Sequence, residues 1–198
     1  MCRRANDYII EAVQRFPLRL KGFCAVNPRW GTEAVAEVKR CAQAGLVGIG
    51  ELHPDTQGFD LGDSVVMNPL VETAVSLGMP ILTHASEPVG HFYAGKGHTT
   101  PEVLCRFIDS FPDVTLICAH WGGGLPFYAL MPEVSQALQH VFFDTAASPF
   151  LYRPKVFPIV ADLVSEDRVL LGTDYPMIEQ NRLIRQVIDA PISDEAKE

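Results

Sequence analysis

The chain has 198 residues, is 47% hydrophobic and 20% charged, and carries a formal net charge of −8. That length supports one well-buried domain rather than two, and the acidic balance with scattered basic residues argues against a nucleic-acid partner, which needs clustered Lys and Arg. No apolar run approaches the length of a membrane span, and Met1-Cys2-Arg3-Arg4-Ala5-Asn6-Asp7 lacks the apolar core of a secretory signal. The five cysteines (Cys2, Cys24, Cys41, Cys105, Cys118) are odd in number, widely spaced and without a C-x-x-C pair. They predict reduced thiols in a cytoplasmic protein rather than a disulfide framework.

Residues 5–16 have apolar side chains at helical spacing (Tyr8, Ile9, Ala12, Val13, Phe16) and stop at Pro17. Phe23 to Val26 reads as a short strand. A helix over 32–44 follows, with Gly45 in the place of a left-handed cap. Residues 46–52 form the next strand, closed by His53-Pro54. The alternation continues with a helix over 68–77 ended by Gly78, a strand over 80–83, a long loop over 85–100, and a helix from Pro101 to Ser110. Then come a strand over 114–119, a glycine turn at Trp121-Gly122-Gly123-Gly124, a helix over 127–139, and a strand over 141–144. A helix over 155–164 with a break at Pro158, a strand over 169–173 and a helix over 179–189 complete the chain.

Strict alternation of short apolar strands with helices predicts a parallel sheet buried on both faces. An open doubly wound sheet and an arc of a (β/α)8 barrel both fit. The open sheet usually carries a phosphate-binding glycine loop after its first strand, and no G-x-G-x-x-G occurs. Polar candidates sit instead at the ends of several strands, which is the barrel habit. The fold class expected is therefore α/β of TIM-barrel type, incomplete, in a single domain over 1–198.

Three apolar runs end on ligand-type side chains: Ile81-Leu82-Thr83-His84, Leu116-Ile117-Cys118-Ala119-His120 and Leu170-Leu171-Gly172-Thr173-Asp174. A strand alternates faces, so His84 shares a face with Leu82, and Asp174 with Leu170 and Gly172. A single strand-end His or Asp is ordinarily structural. Three at equivalent strand ends point instead to a shared functional rim, because burying all three without partners would cost several kcal/mol, roughly. Imidazole and carboxylate donors suit zinc or a similar divalent ion, which wants about three protein ligands and a water.

The segments Thr83-His84-Ala85-Ser86-Glu87-Pro88-Val89-Gly90-His91, Cys118-Ala119-His120-Trp121-Gly122-Gly123-Gly124 and Leu171-Gly172-Thr173-Asp174-Tyr175-Pro176, in that order, resemble the amidohydrolase superfamily. The nearest branch is the amidohydrolase-related group that includes aminocarboxymuconate semialdehyde decarboxylase. The resemblance implies a metal at the C-terminal face of the barrel, with His84 and Asp174 as metal ligands and His120 and Asp174 in catalysis. It also implies that these six strands correspond to strands three to eight, and that the H-x-H pair of the family's first strand is missing here. On that reading the chain is an N-terminally and C-terminally shortened barrel.

Further candidates line the same rim. Glu51 and His53 end one strand, Glu87 and His91 lie in the long loop with Tyr93, Lys96 and His98, and Trp121 offers a ring for stacking; these are the expected substrate contacts. Cys118 reads as a core thiol, and His140 lies at the wrong end of its strand. Three activities follow from these expectations. One is metal-dependent hydrolysis of an amide, ester or lactone of a small molecule. The second is metal-dependent non-oxidative decarboxylation of an aromatic or muconate-like acid. The third is no catalysis at all, in an inert shortened barrel. A small-molecule substrate is the expected partner, with no nucleic acid or membrane, and a homodimer is implied by the resemblance.

Overall fold

A computed structural model describes residues 2–197. Six strands form one sheet in sequential order: β1 (Phe23–Cys24), β2 (Gly48–Leu52), β3 (Ile81–Thr83), β4 (Leu116–Cys118), β5 (Val141–Asp144) and β6 (Val169–Leu170). The strands are parallel and the sheet does not close, which is the incomplete α/β arrangement the alternation predicted. Contacts cluster into two compact units, one of residues 1–84 and 106–117, the other of residues 85–105 and 118–198. Among the described residues no helix is long and apolar enough to cross a membrane, and all five cysteines are free thiols.

In the first unit β1 pairs with β2 through Phe23 opposite Gly48, and β2 with β3 through Ile49 opposite Ile81 and Leu52 opposite Thr83. The register shifts between Ile49 and Leu52, so the end of β2 carries an irregularity. The core holds the fully buried Val38, Ile49, Leu52, Met67, Leu70, Ile81 and Leu116. Helix Cys2–Arg15 is tied down by a polar side chain. Asn6 is fully buried, and its amide accepts from Ala25 N at 2.8 Å and donates to Ala25 O at 2.9 Å and to Glu37 Oε1 at 2.9 Å. A buried amide with all these partners is stabilising where a partly satisfied one would not be.

The helix expected over 68–77 begins earlier, at Ser64, because Asp63 caps it. Its Oδ1 accepts from Val65 N at 3.0 Å and Val66 N at 3.3 Å. Gly78, with φ +62, ends it as foreseen.

In the second unit β5 pairs with β6 through Phe143 opposite Val169. The helix expected over 127–139 is divided: a 3-10 segment spans Leu125–Leu130, Met131 is extended, and helix Pro132–Ala137 restarts with proline in its first turn. Pro158 makes no break in helix Val156–Val164, because it stands in the first turn, where no helical N–H is required. Two short helices, Pro54–Gln57 and Ser148–Leu151, were not anticipated.

Candidate functional site

The first unit brings Glu51, His53 and His84 together. β2 ends beside β3, and the ladder continues past the last strand residue, with His84 N donating to Leu52 O at 2.8 Å. That bond sets the His84 side chain at the strand end, 8% exposed, with Nδ1 3.0 Å from Glu51 Oε1. A carboxylate only accepts, so neutral His84 carries its proton on Nδ1 and its lone pair on Nε2. The His53 ring stacks on His84, centroids 4.1 Å apart and planes 14° from parallel. His53 also caps helix Pro54–Gln57, its Nδ1 accepting from Thr56 N at 3.4 Å. Burial, and then the neighbouring His84, hold the His53 pKa below its ordinary value. The turn is fastened by Gln57, which accepts from His53 N at 2.8 Å and donates to Val26 O at 2.8 Å.

The second unit positions His120 by a different device. Directly after β4 the backbone turns left-handed, at His120 (φ 57), Trp121 (φ 56), Gly122 (φ 57), Gly123 (φ 59) and Gly124 (φ 93). Glycine adopts this region freely, but His and Trp do so at a cost of about 1–2 kcal/mol each. Asp144 offsets it. Its Oδ1 accepts from His120 N at 2.9 Å and from Ala146 N at 2.9 Å. The His120 ring lies with Nδ1 3.3 Å from Ala146 O, so here too the proton sits on Nδ1 and the lone pair on Nε2. Asp144 is the residue that the strand pattern alone did not single out. The signal was present in an acid closing Val141-Phe142-Phe143-Asp144, the strand after the Ala-His-Trp-Gly run.

The remaining candidates fall into three environments. Trp121 is fully buried. Its Nε1 donates to Ser148 Oγ at 2.6 Å and its ring meets Phe157 edge-on at 5.2 Å, so the indole belongs to the core of the second unit rather than to a substrate wall. Cys118 is buried beside it, and burial raises its pKa well above the thiol range, as expected of an inert core thiol. Asp174 departs from the expected strand geometry. β6 stops at Leu170, Leu171 is 58% exposed, and Asp174 takes φ 63, so face alternation no longer decides where its side chain points. It is half-buried, and its carbonyl accepts from Met177 N at 2.8 Å. Glu87 and His91 both line a cavity of about 340 Å³ within the second unit.

Each strand-end imidazole has its Nδ1 on an oxygen acceptor, His84 on Glu51 in the first unit and His120 on the Ala146 carbonyl in the second, and the Glu51–His84 pair offers donor types that fit a divalent ion. The chain is 25% identical over 214 residues to the gamma-resorcylate decarboxylase of Polaromonas sp., covering 88% of this chain and 65% of the relative. It is 24% identical over 199 residues to the 2-amino-3-carboxymuconate-6-semialdehyde decarboxylase of Dictyostelium discoideum, covering 86% and 55%. It thus spans 55–65% of the length of these curated relatives. Among solved structures, a dihydroxybenzoic acid decarboxylase from Polaromonas sp. with bound manganese and 2-nitroresorcinol has the same fold, with TM-score 0.76, 19% identity, and coverage of 99% of this chain and 70% of that one. A family model described as amidohydrolase matches residues 1–198, and the chain belongs to the amidohydrolase family.

Proposed function

We propose that the protein is a metal-dependent, non-oxidative decarboxylase of an aromatic or muconate-like acid. The observation that carries the reading is the pair of strand-end histidines with Nδ1 on an oxygen acceptor, His84 on Glu51 and His120 on the Ala146 carbonyl. Both curated relatives are named decarboxylases of such acids, whereas hydrolysis of an amide, ester or lactone, the first expectation from the sequence, is supported by the family description alone.

In this reading Glu51 and His84 of the first unit hold the ion. Manganese, the ion bound in the solved relative, and zinc, the ion expected from the donor types, both suit these atoms. A bound divalent ion supplies electrostatic stabilisation of the substrate carboxylate and of an adjacent oxygen. His120 is the proton-transfer residue. Breaking the bond from ring carbon to carboxylate leaves an electron pair on that carbon, carbon dioxide departs, and a proton taken up on His120 Nε2 is delivered in its place. Asp144 positions His120 by fixing its backbone, and Asp174 is assigned the orientation of the substrate's oxygens. His53 stacks against His84 and holds that ring in place. Glu87 and His91, expected from the sequence as substrate contacts, line the cavity of the second unit and are given no part in binding the acid.

The test uses purified protein supplied with manganese or zinc and incubated with gamma-resorcylate, followed by carbon dioxide release. Release that depends on added metal and is lost in His120→Ala supports the proposal. An intact carboxyl group with metal stoichiometrically bound overturns decarboxylation, and failure to bind either metal supports the inert reading instead.

A further inference from the structure

Beyond the decarboxylation proposal, and independent of it, the cavity of about 340 Å³ in the second unit has a chemistry of its own. Its polar end is the Glu87 carboxylate. One oxygen, Oε2, accepts from the Tyr93 hydroxyl at 3.0 Å. The other, Oε1, is buried and has no hydrogen-bond partner among the described residues. A buried carboxylate oxygen without a donor costs free energy until something supplies one. The second phenol at this end, Tyr152, is pushed up in pKa by burial and then by the Glu87 charge, so it stays protonated and brings no charge of its own. The walls are aromatic: Phe127 and Tyr152 lie with ring centroids 6.0 Å apart, tilted by 51°. Gly124 keeps the floor open, since a Cβ there would come within 3.3 Å of the Tyr152 hydroxyl and 3.5 Å of the Phe127 ring.

The one Lys or Arg of residues 85–100 is Lys96, and its ammonium is held by the loop backbone. Lys96 Nζ donates to Val89 O at 2.6 Å and His91 O at 3.3 Å, and it sits over the Tyr93 ring at 5.6 Å from the centroid. Lys96 itself lines the cavity, and those carbonyls anchor its ammonium on the loop without neutralising it. The loop is further clamped where Gly97 N donates to Ser86 Oγ at 2.9 Å and Ser86 N to Thr99 O at 2.9 Å. The cavity therefore presents a carboxylate oxygen in need of a donor, phenol hydroxyls beside it, and aromatic faces around it. An anionic ligand would meet the Glu87 charge. A neutral hydroxyl would satisfy the hydrogen bond alone. A protonated amine satisfies the hydrogen bond and the charge, and gains from the ring faces.

We infer that this cavity is a binding site for a small primary ammonium compound carrying a flat apolar group, with Glu87 as the recognition residue and Tyr93 and Tyr152 beside it. The volume suits a single ring with a short side chain, at the lower end of small-molecule sites.

The experiment is titration calorimetry of the full chain with 2-phenylethylamine, 2-phenylethanol and phenylacetate as probes. The amine should bind about tenfold or more tightly than the alcohol, and the acid weakest of the three. Glu87→Gln should lower amine affinity about tenfold or more while leaving the alcohol within about threefold, with the fold checked by circular dichroism. Tyr152→Phe, which keeps the ring and removes the hydroxyl, should weaken the amine about threefold and serves if Glu87→Gln does not fold. Equal binding of amine and alcohol, tighter binding of the acid, no binding of any probe below roughly 10 mM, or amine affinity unchanged in the variants would overturn the inference. Because none of these readouts involves carbon dioxide release or metal content, their failure is separable from failure of the decarboxylase proposal.

Discussion

Acid titration of Glu37 offers a quantitative test of how the first unit is held. Glu37 is only 14% exposed through its side chain. Its oxygens take Arg40 Nη2 at 2.7 Å, Arg40 Nε at 2.9 Å and Asn6 Nδ2 at 2.9 Å, with Cys41 Sγ at 3.6 Å. The Arg40 hydrogen bonds above all, opposed by burial and assisted by Asn6, lower its pKa from 4.5 to about 2. A carboxyl depressed in the folded state stabilises the protein above the unfolded pKa, and that contribution is lost as pH falls toward the folded value. At 1.36 kcal/mol per unit the full effect is about 3 kcal/mol, of which about 2 kcal/mol disappears between roughly pH 6 and pH 3. Urea unfolding of the native chain and of Glu37→Gln at both pH values isolates it, since every other acid contributes equally to both proteins. The native chain should lose about 2 kcal/mol more than the variant over that interval. A stability difference that stays constant with pH would show that Glu37 titrates normally, and that the Asn6–Glu37–Arg40 junction does not hold its charge.

Three further outcomes are expected from the site. Glu51→Gln should lower manganese affinity about 10- to 100-fold, measured by calorimetry, because the carboxylate that fixes the His84 tautomer is lost. Asp144→Ala frees the backbone N–H groups of His120 and Ala146 and should reduce carbon dioxide release about 100-fold by letting the imidazole drift, while metal content, read by elemental analysis, stays unchanged. Gly123→Ala should destabilise the fold by about 2 kcal/mol or more in thermal unfolding. At φ +59 a side chain is strained, and its Cβ would press on the Ser86 backbone.

Much of the fold was legible because alternation survives local error. The runs at Gly48–Leu52, Ile81–Thr83, Leu116–Cys118 and Val141–Asp144 are mostly apolar, as parallel strands between helices tend to be, and each was placed to within a few residues. The misplacements have identifiable causes. Asp63 and Ser64 carry a helix start that hydrophobic spacing alone passes over. Pro132 divides one expected helix because the residue before a proline disfavours helical backbone, and Met131 is accordingly extended. β6 was drawn too long because Leu170-Leu171 continues the apolar run, yet both residues are exposed, at 37% and 58%.

The strand-end placement of the candidate histidines was legible in the sequence, and their supports were not. A histidine that ends an apolar run can be found by eye, and His84 and His120 were. Which nitrogen it offers depends on a partner that need not be near in sequence: Glu51 lies 33 residues from His84, and Ala146 lies 26 from His120. The same holds for backbone conformation. The glycines at 122–124 predicted a turn, but the left-handed stretch begins at His120, and Asp144, 24 residues on, helps offset that conformation. An imidazole held through both its backbone N–H and its Nδ1 has little rotational freedom left. Sequence pattern therefore identifies candidates for chemistry, while preorganisation, which sets how well they perform it, resides in hydrogen bonds that the tertiary fold alone creates.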